Sequence, residues 1–78
     1  MPITKSQERQ LKKLGARLKA IRNEKGLSLQ ELAYSIGKER QSISRLETGN
    51  INPSYLYLLE VCNGLGITIS DLLEEKSE

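Results

Sequence analysis

The stretch Leu27–Gly49, LSLQELAYSIGKERQSISRLETG, admits few folds because it opens and closes two helices in quick succession. Ser28 followed three residues later by Glu31 is a capping box. The serine hydroxyl accepts a free amide of the first helical turn, and the carboxylate returns a bond to the cap. Leu29, Leu32, Ala33 and Ile36 then keep helical spacing, and Gly37 stands where a chain can turn through a left-handed conformation at little steric cost. A second helical pattern begins at Glu39 or Arg40. Its inward positions are Ile43 and Leu46, while Arg40, Gln41, Ser42, Ser44 and Arg45 keep the other faces polar, and Gly49 closes it.

Helical patterns flank this stretch on both sides. Thr4 with Gln7 predicts a capped first helix whose apolar stripe is Leu11, Leu14, Leu18 and Ile21, and which Gly26 stops at about Lys25. Gly15 lies on the same stripe. Glycine inside a helix costs roughly 1 kcal/mol relative to alanine, so its use there is the close approach of another helix. Arg22 continues the stripe one turn beyond Leu18, an unusual place for a freely solvated residue. Beyond Gly49, Asn52-Pro53-Ser54 reads as a cap with proline in the first turn. It opens a fourth helix with an inner stripe of Leu58, Val61, Cys62 and Leu65, ended by Gly64 or Gly66. Thr68 with Asp71 caps a last short helix carrying Leu72 and Leu73. No stretch alternates with period two for long enough to argue a strand. The expected fold is therefore all-α: five helices in a single domain spanning residues 1–78, with a core over about 8–73 and a charged tail at 74–78.

Composition narrows the function classes. A chain of 78 residues supports one small core, so efficient helix packing or a second copy of the chain is expected to matter. With one cysteine and no histidine, neither an internal disulfide nor a Cys/His zinc site can form, and no metal or other cofactor is expected. Cys62, on the inner stripe, reads as a small buried hydrophobe. No apolar run approaches the roughly 20 residues of a membrane span, and MPITKSQERQ lacks the apolar core of a signal peptide, so a cytoplasmic protein is expected. A Gly-rich phosphate loop and an evident carboxylate pair are also missing, which argues against an enzyme and a small-molecule substrate. The net charge of +2 hides a polarity: residues 1–45 hold eleven Lys and Arg against four acids, whereas residues 46–78 hold Lys76 against six acids. A surface that approaches phosphate on one side requires such an imbalance.

Five segments in order, LGARLKAIRNEKGLS, ELAYSIG, SISRLETG, NPS and LGITISDLL, span Leu14 to Leu73. At this spacing they resemble the phage-repressor family of Cro/cI- or Xre-like helix-turn-helix domains. The resemblance implies a repressor-like domain in which helices 2 and 3 form the helix-turn-helix, helix 3 enters the major groove of double-stranded DNA, and the protein regulates transcription. On that reading Arg40, Gln41 and Arg45 are the leading base readers, since arginine pairs in bidentate fashion with guanine and glutamine with adenine. Ser42 and Ser44 are shorter and reach either a base or a phosphate. Ser28, at the start of helix 2, is a candidate phosphate contact, as are Lys38, Arg17, Lys25 and Asn50. The family also implies a structural ion pair between Arg22 and Glu47. Three residues depart from the family pattern: Leu29 where many members carry glutamine, Lys38 at a commonly apolar turn position, and Glu39 in place of Ser or Thr at the cap of helix 3.

Helix 4 carries more apolar surface than one core can use, through Tyr55, Leu56, Tyr57 and Leu59. A two-fold homodimer through Tyr57, Ile67, Ile69 and Leu56 would cover it; alternatively the tyrosines cap the core with their hydroxyls in water. Within the resemblance, a dimeric repressor or operon controller is the leading expectation. An antitoxin-type autoregulator with a protein partner, and a protein-interaction module that has kept the scaffold, are the competing ones.

Overall fold

The computed structural model describes residues 3–74, and its five helices begin where local hydrogen bonds start them. Helix α1 runs Lys5–Glu24, α2 Leu29–Ser35, α3 Arg40–Glu47, α4 Tyr55–Leu65 and α5 Ile69–Leu73. The capping boxes at Thr4/Gln7, Ser28/Glu31 and Thr68/Asp71 are all formed in both directions. Helix α3 differs: its cap residue Glu39 makes no side-chain bond to the helix. Residues 1–2 and most of the charged tail, 75–78, lie outside the described residues.

Helix α4 starts later than the sequence pattern suggests. Its cap is Ser54, whose hydroxyl accepts the amide of Tyr57, so Asn52 and Pro53 belong to the connection before it. A serine two residues after Asn52 offers the same capping chemistry, and Pro53, lacking an N–H, sits outside the helix without cost. At the other end Gly66 takes the left-handed conformation and closes the helix. Gly64 has another use. A Cβ there would lie 2.6 Å from Ile36 Cγ2 and 2.9 Å from Leu32 Cδ1, so its missing side chain lets α4 settle on α2.

All five helices contribute to one core. Leu18 of α1, Leu32 and Ala33 of α2, Ile43 and Leu46 of α3, Val61, Cys62 and Leu65 of α4, and Leu72 of α5 are buried and in mutual contact. Each large side chain among them contributes about 1.5–3 kcal/mol by leaving water. Helix α3 packs on both α1 and α2, α4 packs on α2 and α5, and α5 returns to α1. The inward face of α3 is thereby clamped, and its outward face is left bare. Burial also pushes the Cys62 thiol up, with the Asp71 carboxylate adding to the effect, so it remains protonated and unreactive.

The close approach read from Gly15 occurs between α1 and the end of α3. A Cβ at Gly15 would overlap the carbonyl oxygens of Leu46 and Glu47 and lie 2.6 Å from the Glu47 carbonyl carbon. These are backbone atoms that cannot rotate away. Gly15→Ala is expected to lower unfolding free energy by about 3 kcal/mol through overpacking. Gly37→Ala, at φ +66° with open space around its Cβ, should cost only about 1–2 kcal/mol of backbone strain. Urea denaturation of the two variants beside the parent checks the order.

Candidate nucleic-acid interface

Helix α3 divides its residues sharply. Ile43, Leu46 and Glu47 are buried, Ser42 and Ser44 are half-buried, and Arg40, Gln41 and Arg45 are exposed. The long side chains of Arg40, Gln41 and Arg45 find no partner among the described residues. Gln41, Ser44 and Arg45 share one face by helical spacing, and Arg40, Gln41 and Ser44 line one hollow together with Glu39. Unpaired donors along a short, rigidly mounted helix are suited to reading acceptors in a groove.

The mounting is the Arg22–Glu47 pair. Arg22 Nε donates to Glu47 Oε2 at 2.7 Å and Nη2 donates to Oε1 at 3.0 Å, a two-pronged bridge from α1 to the end of α3. The third nitrogen, Nη1, donates to the Leu27 carbonyl at 2.7 Å, so the same guanidinium also ties down the connection that leads into α2. The side chains are only 8% and 5% exposed. Such a buried charge is tolerable only because both partners are present and hydrogen-bonded. The hydrogen bond to Glu47 raises the Arg22 pKa further above its ordinary value, with burial opposing it.

The residues expected on phosphate meet different fates. Ser28 remains exposed at the start of α2; its hydroxyl accepts the Glu31 amide, and its own amide donates to Glu31 Oε1. The Ser28 amide donating to the carboxylate, with the Ser28 side chain adding to it, holds the Glu31 carboxyl below the usual carboxylate range. Lys25 is exposed just past α1, and Asn50 is exposed just past α3, with its Nδ2 donating to Thr48 Oγ1.

Arg17 requires a correction. It is half-buried, its Nε donates to the Leu72 carbonyl at 2.7 Å and its Nη2 to the Asp71 carbonyl at 2.9 Å. A cation at the C-terminal carbonyls of a helix answers both their open valence and the helix dipole, so Arg17 fastens α5 to α1 instead of meeting a phosphate. Lys38 is also engaged inside the chain. Its Nζ lies 3.2 Å from Glu60 Oε1 and 5.3 Å from the centre of the Tyr57 ring, which draws the ammonium toward α4.

The surface assigned to a dimer is likewise redistributed. Tyr57, Ile67 and Ile69 are half-buried against the chain's own core, and the Tyr57 hydroxyl is buried with no hydrogen-bond partner, which does not fit a tyrosine tip in water. Leu56 is 70% exposed and Tyr55 64% exposed at the start of α4. On α4 the exposed apolar surface therefore lies at Tyr55 and Leu56, and Leu73 of α5 is exposed as well. Tyr34, at 88% exposure, is a residue that the sequence pattern passed over. Its one available signal was an aromatic residue set off the Leu29, Leu32, Ala33 and Ile36 stripe.

Comparison with known proteins places this geometry. The family model described as helix-turn-helix matches residues 18–72. The transcriptional regulator SinR of Bacillus subtilis is 39% identical over 66 residues, covering 83% of this chain and 60% of SinR, so the chain spans less than two thirds of that relative. Among solved structures, the restriction-modification controller protein C.AhdI from Aeromonas hydrophila superposes with a TM-score of 0.80 at 34% identity, covering 82% of this chain and 97% of that one. The controller C.Esp1396I, solved as a tetramer in complex with its natural 35 base-pair operator, gives a TM-score of 0.71 at 29% identity over 82% of this chain and 95% of its own.

Removing one partner of the buried bridge should cost far more than an exposed pair would. Glu47→Ala is expected to destabilise the fold by about 3–5 kcal/mol, leaving Arg22 buried and uncompensated. Lys38→Ala, which breaks the more exposed contact to Glu60, should cost about 1 kcal/mol or less. Thermal unfolding followed by circular dichroism compares the two.

Proposed function

Because this chain belongs to the helix-turn-helix family of Cro/cI- and Xre-like regulators, we propose that it acts in the cytoplasm as a sequence-specific duplex-DNA-binding regulator of transcription. The observation that carries this reading is the outward face of α3: Arg40, Gln41 and Arg45 stand exposed and without partners among the described residues, on a helix whose other side is locked to α1 and α2. Base reading falls to these three, with Ser42 and Ser44 as shorter contacts. Phosphate contacts at Ser28, Lys25 and Asn50 would fix the domain on the backbone. The activity is binding, with no cofactor. A cationic, hydrogen-bonding recognition face is what DNA requires and is poorly suited to a protein-interaction module. The 78 residues act as one DNA-binding unit with its core over about 8–73.

Dimerisation completes the reading. C.Esp1396I meets its operator as an assembly of copies. In this chain the bare apolar surface at Leu56 and Tyr55 gives a second copy something to cover, with Tyr57, Ile67 and Ile69 as half-buried support. Two recognition helices about 34–36 Å apart would then meet half-sites one helical turn apart. Occupying such a site over a promoter represses it.

Selecting bound duplexes from a random pool at fixed moderate salt is expected to enrich an inverted repeat; no enrichment of any sequence would overturn sequence-specific binding by this chain. On the enriched site Arg45→Ala should lose about 1–3 kcal/mol of affinity and lose little on random duplex. An equal loss on both would make Arg45 a phosphate contact. Leu56→Lys should shift the protein toward monomer in sedimentation at micromolar concentration.

A further inference from the structure

Three hollows follow one another across the α2–α3 surface, and Tyr34 stands where the first two join. The first is lined by Ser28, Gln30, Glu31 and Tyr34. The second, of about 390 Å³, is lined by Gln30, Ala33, Tyr34, Lys38 and Arg40. The third is lined by Glu39, Arg40, Gln41 and Ser44. Gln30 and Tyr34 are shared by the first two hollows, and Arg40 by the last two. A continuous strip therefore leads from the capped start of α2, past the tyrosine, to the first residues of the recognition helix.

Tyr34 has no packing role on this strip. It is 88% exposed, lies one turn beyond Gln30 on α2, and has no partner among the described residues. The middle hollow holds two cations, Lys38 and Arg40, and no acid. Lys38 is drawn toward Glu60 and Tyr57, whereas Arg40 is unpaired. The acid of the first hollow, Glu31, is already committed to the Ser28 amide. The middle hollow thus offers positive charge, the Gln30 amide and a phenol O–H donor, which is a place for an anion, and the Glu39 carboxylate lines only the third hollow. A duplex read by Gln41, Ser44 and Arg45 and held at Ser28 must carry one strand's phosphates between those two places, and Tyr34 lies between them.

We propose that Tyr34 is a DNA-backbone contact, its hydroxyl donating to a phosphate oxygen seated in the hollow between Tyr34 and Arg40. The inference rests on the duplex-DNA reading above and extends it to a residue outside the recognition helix. Phosphate contacts position the protein and carry no direct sequence information. Tyr34→Phe, which removes one oxygen from an exposed ring, should therefore weaken binding about three- to tenfold on the selected operator and by a similar factor on random duplex. Its thermal midpoint should match that of the parent. The experiment is a titration of parent and Tyr34→Phe protein with both duplexes at one salt concentration.

Unchanged affinity on both duplexes would overturn the proposal and leave Tyr34 to a protein partner. A loss confined to the operator would overturn it in favour of a base contact. If the parent protein bound neither duplex, the DNA-binding reading itself would fail, an outcome distinct from a failure of Tyr34 alone. In the same titration Tyr34→Phe should leave the salt dependence of binding unchanged, because it removes no charge.

Discussion

The bridge between Arg22 and Glu47 is the joint on which the exposed face of α3 depends. One guanidinium holds the carboxylate at the end of α3 with two nitrogens and the Leu27 carbonyl with the third, so α1, the approach to α2 and the end of α3 share a single fixed point. Gly15 makes the joint possible. Without a Cβ at that position α1 can lie against the backbone of Leu46 and Glu47, and the two side chains need only reach across a closed seam. A buried bridge of this kind contributes little net stability compared with an apolar pair of the same volume. Its effect here is geometric, since bidentate pairing admits one orientation of α3 relative to α1.

From that orientation the division of surfaces follows. The inner side of α3 is used up by Ile43 and Leu46, and the side presented to solvent keeps Arg40, Gln41 and Arg45 without a partner among the described residues. Farther along the chain, α5 is held by Arg17 at its last carbonyls, and Lys38 leans on α4 through Glu60 and Tyr57. Cations that composition alone would count toward a phosphate-facing surface are thus partly spent inside the fold. The positive charge left free at the surface is smaller than the basic N-terminal half suggests, and its arrangement counts for more than its amount.

Legibility in the sequence varied with the range of the interaction. The caps at Thr4, Ser28 and Thr68 were readable because both partners lie three residues apart, and a short motif encodes the whole interaction. The start of α4 was misplaced because Asn52, Pro53 and Ser54 offer competing cap chemistry, and local pattern does not rank them. Gly64 and Gly66 were equally plausible helix ends. Only the packing of Ile36 and Leu32 shows that Gly64 belongs to an interface between helices. At the interface, the polar face of α3 was legible from its periodicity, whereas Tyr34 was not, because exposure of one aromatic side chain is a property of the assembled surface.

The sequence by itself determined the five helices, the caps at Thr4, Ser28 and Thr68, the turn at Gly37 and the inward stripes, because each depends on hydrogen bonds or spacings within a few residues. It also marked Arg22 as unusual by placing a cation on an apolar stripe. Only the tertiary structure decided where the long polar side chains end. Arg17 meets carbonyls 54 and 55 residues away, and the Tyr57 hydroxyl turns into the protein instead of toward water. Such outcomes depend on which helices lie side by side, and long flexible side chains have many partners within reach until packing removes all but one.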